Sequence, residues 1–172
     1  MSIRESNNIY IRGCNYLNNS AARNGGGMSI FHSRDVEISD CLSYYNTADT
    51  YGGGMEIDVS GNIKVMGGLY QSNTATGLGG GIWFGSVRDV EKSNCLYYNN
   101  TSFHGGAIGV AVCWLTPHIW IRNCDFYNNH ADNGGGILVT FCGANITVTS
   151  TTGYNNFIDD ISCKDSSFYF DE

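Results

Sequence analysis

Glu37, Lys64 and Glu91 follow one another at 27-residue steps, and two carboxylates flanking a basic group make a set suited to proton transfer and glycosidic chemistry. If the steps place the three side by side on neighbouring strands, Glu37 and Glu91 stand two strand spacings apart, roughly 9 to 10 Å. That slightly exceeds the roughly 6.5 to 9.5 Å of an inverting carboxylate pair. The lysine between them would hold both acids as ions rather than raise one pKa. A surface ion-pair ladder is therefore the simpler role, and no residue is assigned as catalytic. His118 is the other candidate, at the end of Cys113-Trp114-Leu115-Thr116-Pro117-His118. Trp114 and His118 on a projecting loop would form a binding site; a tryptophan folded back over the scaffold is the plainer alternative.

Cysteines carry the remaining chemistry. Of the seven, Cys14, Cys41, Cys95 and Cys124 share one phase of a repeat and read as an inward column of small hydrophobes. Cys113 and Cys142 share another phase, 29 residues apart. A disulfide there would need a Cβ separation of roughly 3.8 Å, shorter than strand spacing gives. No CxxC occurs, so no metal site and no cofactor is expected, and a reducing compartment is slightly favoured.

The element that would position all of these is a repeat. Gly79-Gly80-Gly81-Ile82 has near-copies beginning at Gly25, Gly52, Gly105 and Gly134, at steps of 27, 27, 26 and 29 residues, the mark of a repeat architecture. Asn19, Asn46, Asn73, Asn100, Asn129 and Asn156 hold one phase, with Ala21, Ala48, Ala75, Ser102 and Ala131 two residues on. Pairs such as Val36/Ile38 and Ile63/Val65, and Met55/Ile57 after the glycines, alternate with polar neighbours as strands with one buried face do. A third strand is expected around Tyr16, Tyr70, Tyr97 and Phe126. Three short strands per repeat predict an all-β, right-handed parallel β-helix of about five to six coils with a period of about 27 residues.

In such a fold the asparagines form a structural ladder that satisfies buried polar groups. Asp35, with Asn8, Asn62, Asp89, His118 and Asn145, reads as a column of turn residues. Lys92 takes a phase that is Ile or Val in every other repeat. It is expected to snorkel outward from a displaced strand, or else to pair with a buried acid.

Composition bounds the partners. The net charge of -7 with only 15% charged residues provides no basic stripe for nucleic acid, and no 18-residue apolar run exists to span a membrane. By length, residues 1–172 are one domain, or a piece of a longer rod. Met1-Ser2-Ile3-Arg4-Glu5 contains no apolar signal segment. That reads as a cytoplasmic or virion-associated protein if the chain is full length, and as a cell-surface one if it is a fragment.

The wording [FY]xxN followed by GG[AG][ILMV] occurs as Tyr16-Leu17-Asn18-Asn19 before Gly25-Gly26-Gly27-Met28. It returns as Tyr97-Tyr98-Asn99-Asn100 before Gly105-Gly106-Ala107-Ile108, and as Phe126-Tyr127-Asn128-Asn129 before Gly134-Gly135-Gly136-Ile137. It resembles the parallel β-helix repeat of the pectate-lyase-like superfamily and is similar to the repeats of chlamydial polymorphic outer membrane proteins. The resemblance implies the fold; it does not imply one activity, since such rods include lyases, hydrolases, epimerases, tailspikes and adhesins.

Two functions follow as expectations. One is a non-catalytic rod for binding, adhesion or assembly, favoured by regular coils without cleft walls. The other is a reduced polysaccharide lyase, hydrolase or epimerase acting near Glu37, Lys64, Glu91 or His118. A rod of the first kind would use its outer columns, with Leu42, Leu69 and Leu96 in one and Tyr44, Tyr98, Tyr127 and Tyr154 in another. It would self-associate, dock a flanking domain through them or through its ends, or stack tyrosines on a polysaccharide. Phe168-Tyr169-Phe170 is expected to fold over one end.

Overall fold

The computed structural model describes residues 1–111, 118–140, 145–156, 161–164 and 167–171. Trp114, Cys113 and Cys142 lie outside the described residues. Every regular element among those described is a strand, and every pairing is parallel, between one coil and the next. The chain is a parallel β-solenoid of about five turns.

Each coil contributes to three sheets because its polarity pattern switches three times. After the glycines, Met28–Phe31, Met55–Asp58, Ile82–Gly85, Ile108–Ala111 and Ile137–Thr140 stack within a seven-stranded sheet. Across the interior lies an eleven-stranded sheet that includes Arg34–Tyr44, Gly61–Gln71, Arg88–Ser93 and His118–Arg122. Ser20–Ala21, Thr47–Ala48 and Thr74–Ala75 form the short third side. The predicted third strand around Tyr70 is the far half of Gly61–Gln71, so one long strand bends through two sides of the coil.

The alternating apolar residues all face one core. Val36, Ile38, Ile63, Val65, Val90, Ile119 and Ile121 meet Met28, Ile30, Met55, Ile57, Ile82, Phe84 and Ile108 across it, each contributing about 1.5 to 3 kcal/mol of burial. Cys41, Cys95 and Cys124 are buried and Cys14 is half-buried, all as free thiols. The terminal aromatic segment does not fold over an end. Ser167–Asp171 adds a parallel strand beside Asn145–Thr149, with Phe168 and Phe170 in register with Ile146 and Val148, since its alternation matches the strand it joins.

Corners are made by single residues in the left-handed region. One column is Asn8, Asp35, Asn62 and Asp89 at φ 51 to 54°; another is Asn18, Tyr45, Ser72, Asn99, Asn128 and Asn155 at φ 51 to 55°. Asparagine, aspartate and glycine recur there because this region costs other L-residues about 1 to 2 kcal/mol. Asn62 also donates from Nδ2 to Asp35 Oδ1 at 2.8 Å. A third column, Glu5, His32, Val59 and Ser86, lacks such residues, and Val59 holds φ 49° despite its branched Cβ. The glycine runs serve a different need: a Cβ at Gly53 would stand 2.5 Å from the Gly80 carbonyl oxygen of the next coil.

Asn46, Asn73, Asn100 and Asn129 are fully buried, whereas Asn19 is exposed and Asn156 half-buried. Asn46 Nδ2 donates to Asn73 Oδ1 at 3.0 Å, Asn73 to Asn100 at 3.1 Å and Asn100 to Asn129 at 2.9 Å. The second hydrogen of each amide goes to a main-chain carbonyl, from Asn73 to Ser43 at 2.9 Å and from Asn100 to Tyr70 at 2.8 Å. Each Oδ1 also accepts the main-chain N–H of the preceding asparagine, as Asn73 does from Asn46 at 3.1 Å. Beside this file Tyr70, Tyr97 and Phe126 stack face to face at 5.0 and 4.9 Å.

Asn73→Ala should lower stability by about 1 to 3 kcal/mol, because the amides above and below lose partners inside the core; a shifted urea midpoint at constant slope is the measurement. Val59→Asn should raise it by about 1 kcal/mol by relieving the left-handed strain at a half-exposed corner, read in the same titration.

Candidate functional surface

Tyr10, Glu37, Lys64, Glu91, Trp120 and Thr147 occupy one outward column in unbroken register. Lys64 does stand between the two glutamates, yet no ion pair joins the three. Glu91 instead meets Arg122 of the next coil at 3.9 Å, and Arg122 lies over the Trp120 ring at 5.9 Å. The expected ion-pair ladder is thus replaced by one contact. Exposed charges gain little from pairing and lose side-chain entropy when they do, and the planar guanidinium stacked on Trp120 is already held in place. His118 is exposed, stacks on Trp120 at 5.4 Å, and its main-chain N–H donates to Asp89 Oδ1 at 3.4 Å. These residues share a gently curved face, with no nucleophile and base brought into contact.

The Leu and Tyr columns form as spaced. Leu42, Leu69 and Leu96 pair in register and are half-buried. Next to them runs Leu17, Tyr44, Gln71, Tyr98, Tyr127 and Tyr154. Leu17, Tyr98 and Tyr154 are 57%, 40% and 66% exposed. Gln71 is the one break in an apolar stripe that follows the rod axis.

Two groups were not legible as sites. Glu56 sits on the outer face of the seven-stranded sheet, yet it is buried beneath its neighbours. Ser29 Oγ and Asn24 Nδ2 each donate to it at 2.6 Å. Burial pushes its carboxyl up from the ordinary range, against the pull of those two bonds. Asp58, two residues on, is likewise raised by burial, and Trp83 of the next coil covers the pair's flank with Tyr51 stacked on it at 5.1 Å. Both glutamate oxygens already accept hydrogen bonds, so Glu56 clamps the preceding coil rather than offering a proton.

The second group is inside the core. Lys92 does not swing outward and has no acidic partner: it stays in register between Val65 and Ile121, fully buried. Its Nζ makes no hydrogen bond of ordinary geometry, and lies 4.5 Å from the Tyr70 ring centre and 5.3 Å from that of Tyr97. Two ring faces thus hold the cation. The Cys95 thiol is pulled down to about 6 by the Cys124 thiol, with burial opposing and the Lys92 charge assisting. The Cys124 thiol is pushed up, first by that same contact and then by burial. The available signal was Tyr70, Tyr97 and Cys95 at inward phases of this coil and its neighbour, which supply ring faces and a soft anion where the sequence pattern supplies no carboxylate.

Residues 123–140 match the model of the Chlamydia polymorphic membrane protein repeat. No curated protein and no solved structure matches the chain. No helix among the described residues is long and apolar enough to cross a membrane.

Lys92 gives a pH-dependent prediction. Cys95 titrates lower in the folded chain than in the unfolded one, so its contribution is present above the unfolded value of about 8.5 and is lost as pH falls through about 6. Wild-type stability should therefore rise between pH 6 and pH 8.5 relative to Lys92→Met, which removes the cation that favours the thiolate. At pH 6 the methionine variant should be the more stable, since a buried unpaired ammonium is replaced by an apolar chain of similar length. Denaturation midpoints of both proteins across that range are the check.

Proposed function

We propose that this chain is a non-catalytic β-helical rod that works by association through its outer faces, in the manner of an adhesive or assembly segment. The observation that carries the reading is the axial stripe of Leu42, Leu69 and Leu96 beside Tyr44, Tyr98, Tyr127 and Tyr154. Scattered exposed apolar side chains mean little, but stacked columns join into one patch of the kind that marks an interface. The match of residues 123–140 to a repeat of polymorphic membrane proteins is consistent with such a role.

The occupant that fits best is a second copy of the rod. Both copies present the same period of about 4.8 Å, so a two-fold arrangement lets the tyrosines of one lie between the leucines of the other along the whole stripe. Tyrosine suits this use, having a large rigid face and a hydroxyl that stays satisfied at the rim. A flanking domain or the aromatic-binding face of a sugar chain would use the same columns.

Light scattering over a concentration series should show reversible association that Leu69→Lys abolishes while the β-sheet spectrum is unchanged. The same preparation should turn over none of a panel of uronate-containing and neutral polysaccharides. A monomer at every concentration, unaffected by Leu69→Lys, would remove the interface, and turnover lost in Lys64→Ala with the fold intact would replace the reading with an enzymatic one.

A further inference from the structure

Around the corner from the Leu and Tyr columns, where the two large sheets meet, the surface is concave. A cavity of about 430 Å³ is lined by Arg34, Gly61 and Arg88, with Asn7, His32 and Ser86 at its margins. Asn7, Arg34, Gly61 and Arg88 are register partners in four successive coils. The glycine is therefore a missing side chain between two arginines. A Cβ built there would meet nothing nearer than 3.7 Å, so the notch is open space.

Both arginines are exposed, and neither belongs to an ion pair among the described residues, where Arg12–Asp40 and Arg122–Glu91 are the pairs formed. The acids nearby are engaged elsewhere. Asp35 accepts from Asn62, Asp89 from the His118 N–H, and Asp58 from the Val59 N–H; Glu5, at the far corner, is exposed. The Asn7 amide and the Ser86 hydroxyl make no side-chain hydrogen bond within the described residues. The notch thus offers two fixed cations about 9 to 10 Å apart along the rod, with neutral donors between and beside them.

We propose that the Arg34–Gly61–Arg88 notch is a non-catalytic binding site for a linear acidic polysaccharide lying along the rod axis. Its carboxylate or sulfate groups sit on the two guanidiniums, and its hydroxyls on Asn7 and Ser86. This extends the reading of the chain as a binding rod and rests on it. Guanidinium forks bind such anions through paired hydrogen bonds. The charge spacing selects the ligand. A chain whose charges are separated by hydroxyl-bearing rings matches two isolated cations, whereas a densely charged polyanion is repelled by a protein of net charge -7. A nucleic acid also wants aromatic platforms for its bases. The lining holds no Phe, Tyr or Trp, and one face of the His32 ring is already stacked on Phe31.

The test is calorimetric titration of the full chain with oligogalacturonate, heparin oligosaccharide, neutral dextran and a single-stranded oligonucleotide. The proposal expects at least one acidic glycan to bind, with affinity falling as salt rises, and dextran not to bind. Arg34→Ala and Arg88→Ala should each weaken that binding by about tenfold. Gly61→Glu, which fills the notch with a carboxylate at a position of ordinary backbone conformation, should abolish it. The Gly61→Glu variant keeps both arginines and serves if an arginine variant loses its β-sheet spectrum. No binding of either acidic glycan overturns the proposal, as does affinity unchanged in well-folded variants, or tighter binding of the oligonucleotide. Light scattering on the same samples separates the two ideas: association that still depends on Leu69 with no glycan bound removes the notch and leaves the rod.

Discussion

A primary amide buried away from water must find partners for two hydrogens and an oxygen, and in this chain it finds them only if the next coil presents an identical amide at the same phase. That condition governs the rest of the structure. Asn73 is satisfied by Asn46 below, Asn100 above and the Ser43 carbonyl alongside. A coil one residue out of phase would leave three such groups stranded, at about 1 to 3 kcal/mol each. Length changes are consequently absorbed elsewhere, as the step of 29 residues between Gly105 and Gly134 is, with the file from Asn100 to Asn129 still closed at 2.9 Å.

With the phase fixed, chemistry on the outside is decided by columns rather than by local sequence. Glu37, Lys64 and Glu91 are 27 residues apart and yet neighbours, while Arg34 and Arg88 are separated by a single glycine in space. The same rule operates inside. Lys92 is tolerated because the positions above, below and beside it hold tyrosine rings and cysteine sulfur, which are softer partners than the aliphatic columns of the opposite sheet.

Much of the fold was legible because a repeat shows the same environment several times: the parallel pairing, the inward aliphatic pairs and the outward Leu and Tyr columns follow from phase alone. What phase could not supply was contact between columns. Glu56 reads as an exposed strand residue until Ser29 and Asn24 of the preceding coil close over it. Lys92 reads as a violation until its rings are found two and five phases away. The ion-pair ladder over Glu37, Lys64 and Glu91 failed for the converse reason: adjacency was right, but solvent competes with exposed charges and Trp120 offered Arg122 a better seat. Corner strain was half visible, in the asparagines and aspartates, and hidden where Val59 and Tyr45 hold the same backbone conformation.

The direction of the interstrand hydrogen bonds has a mechanical consequence. They run parallel to the rod, so a pull on its two ends loads the bonds of a single inter-coil seam in sequence, from one corner to the next, instead of shearing a whole sheet at once. A coil that gives way releases about 27 residues of slack, or roughly 90 Å of extended chain, in exchange for one strand spacing of about 4.8 Å. The seams on either side keep their amides paired. Under tension such a rod lengthens in discrete steps and sheds load one coil at a time, which makes it a shock absorber as well as a spacer.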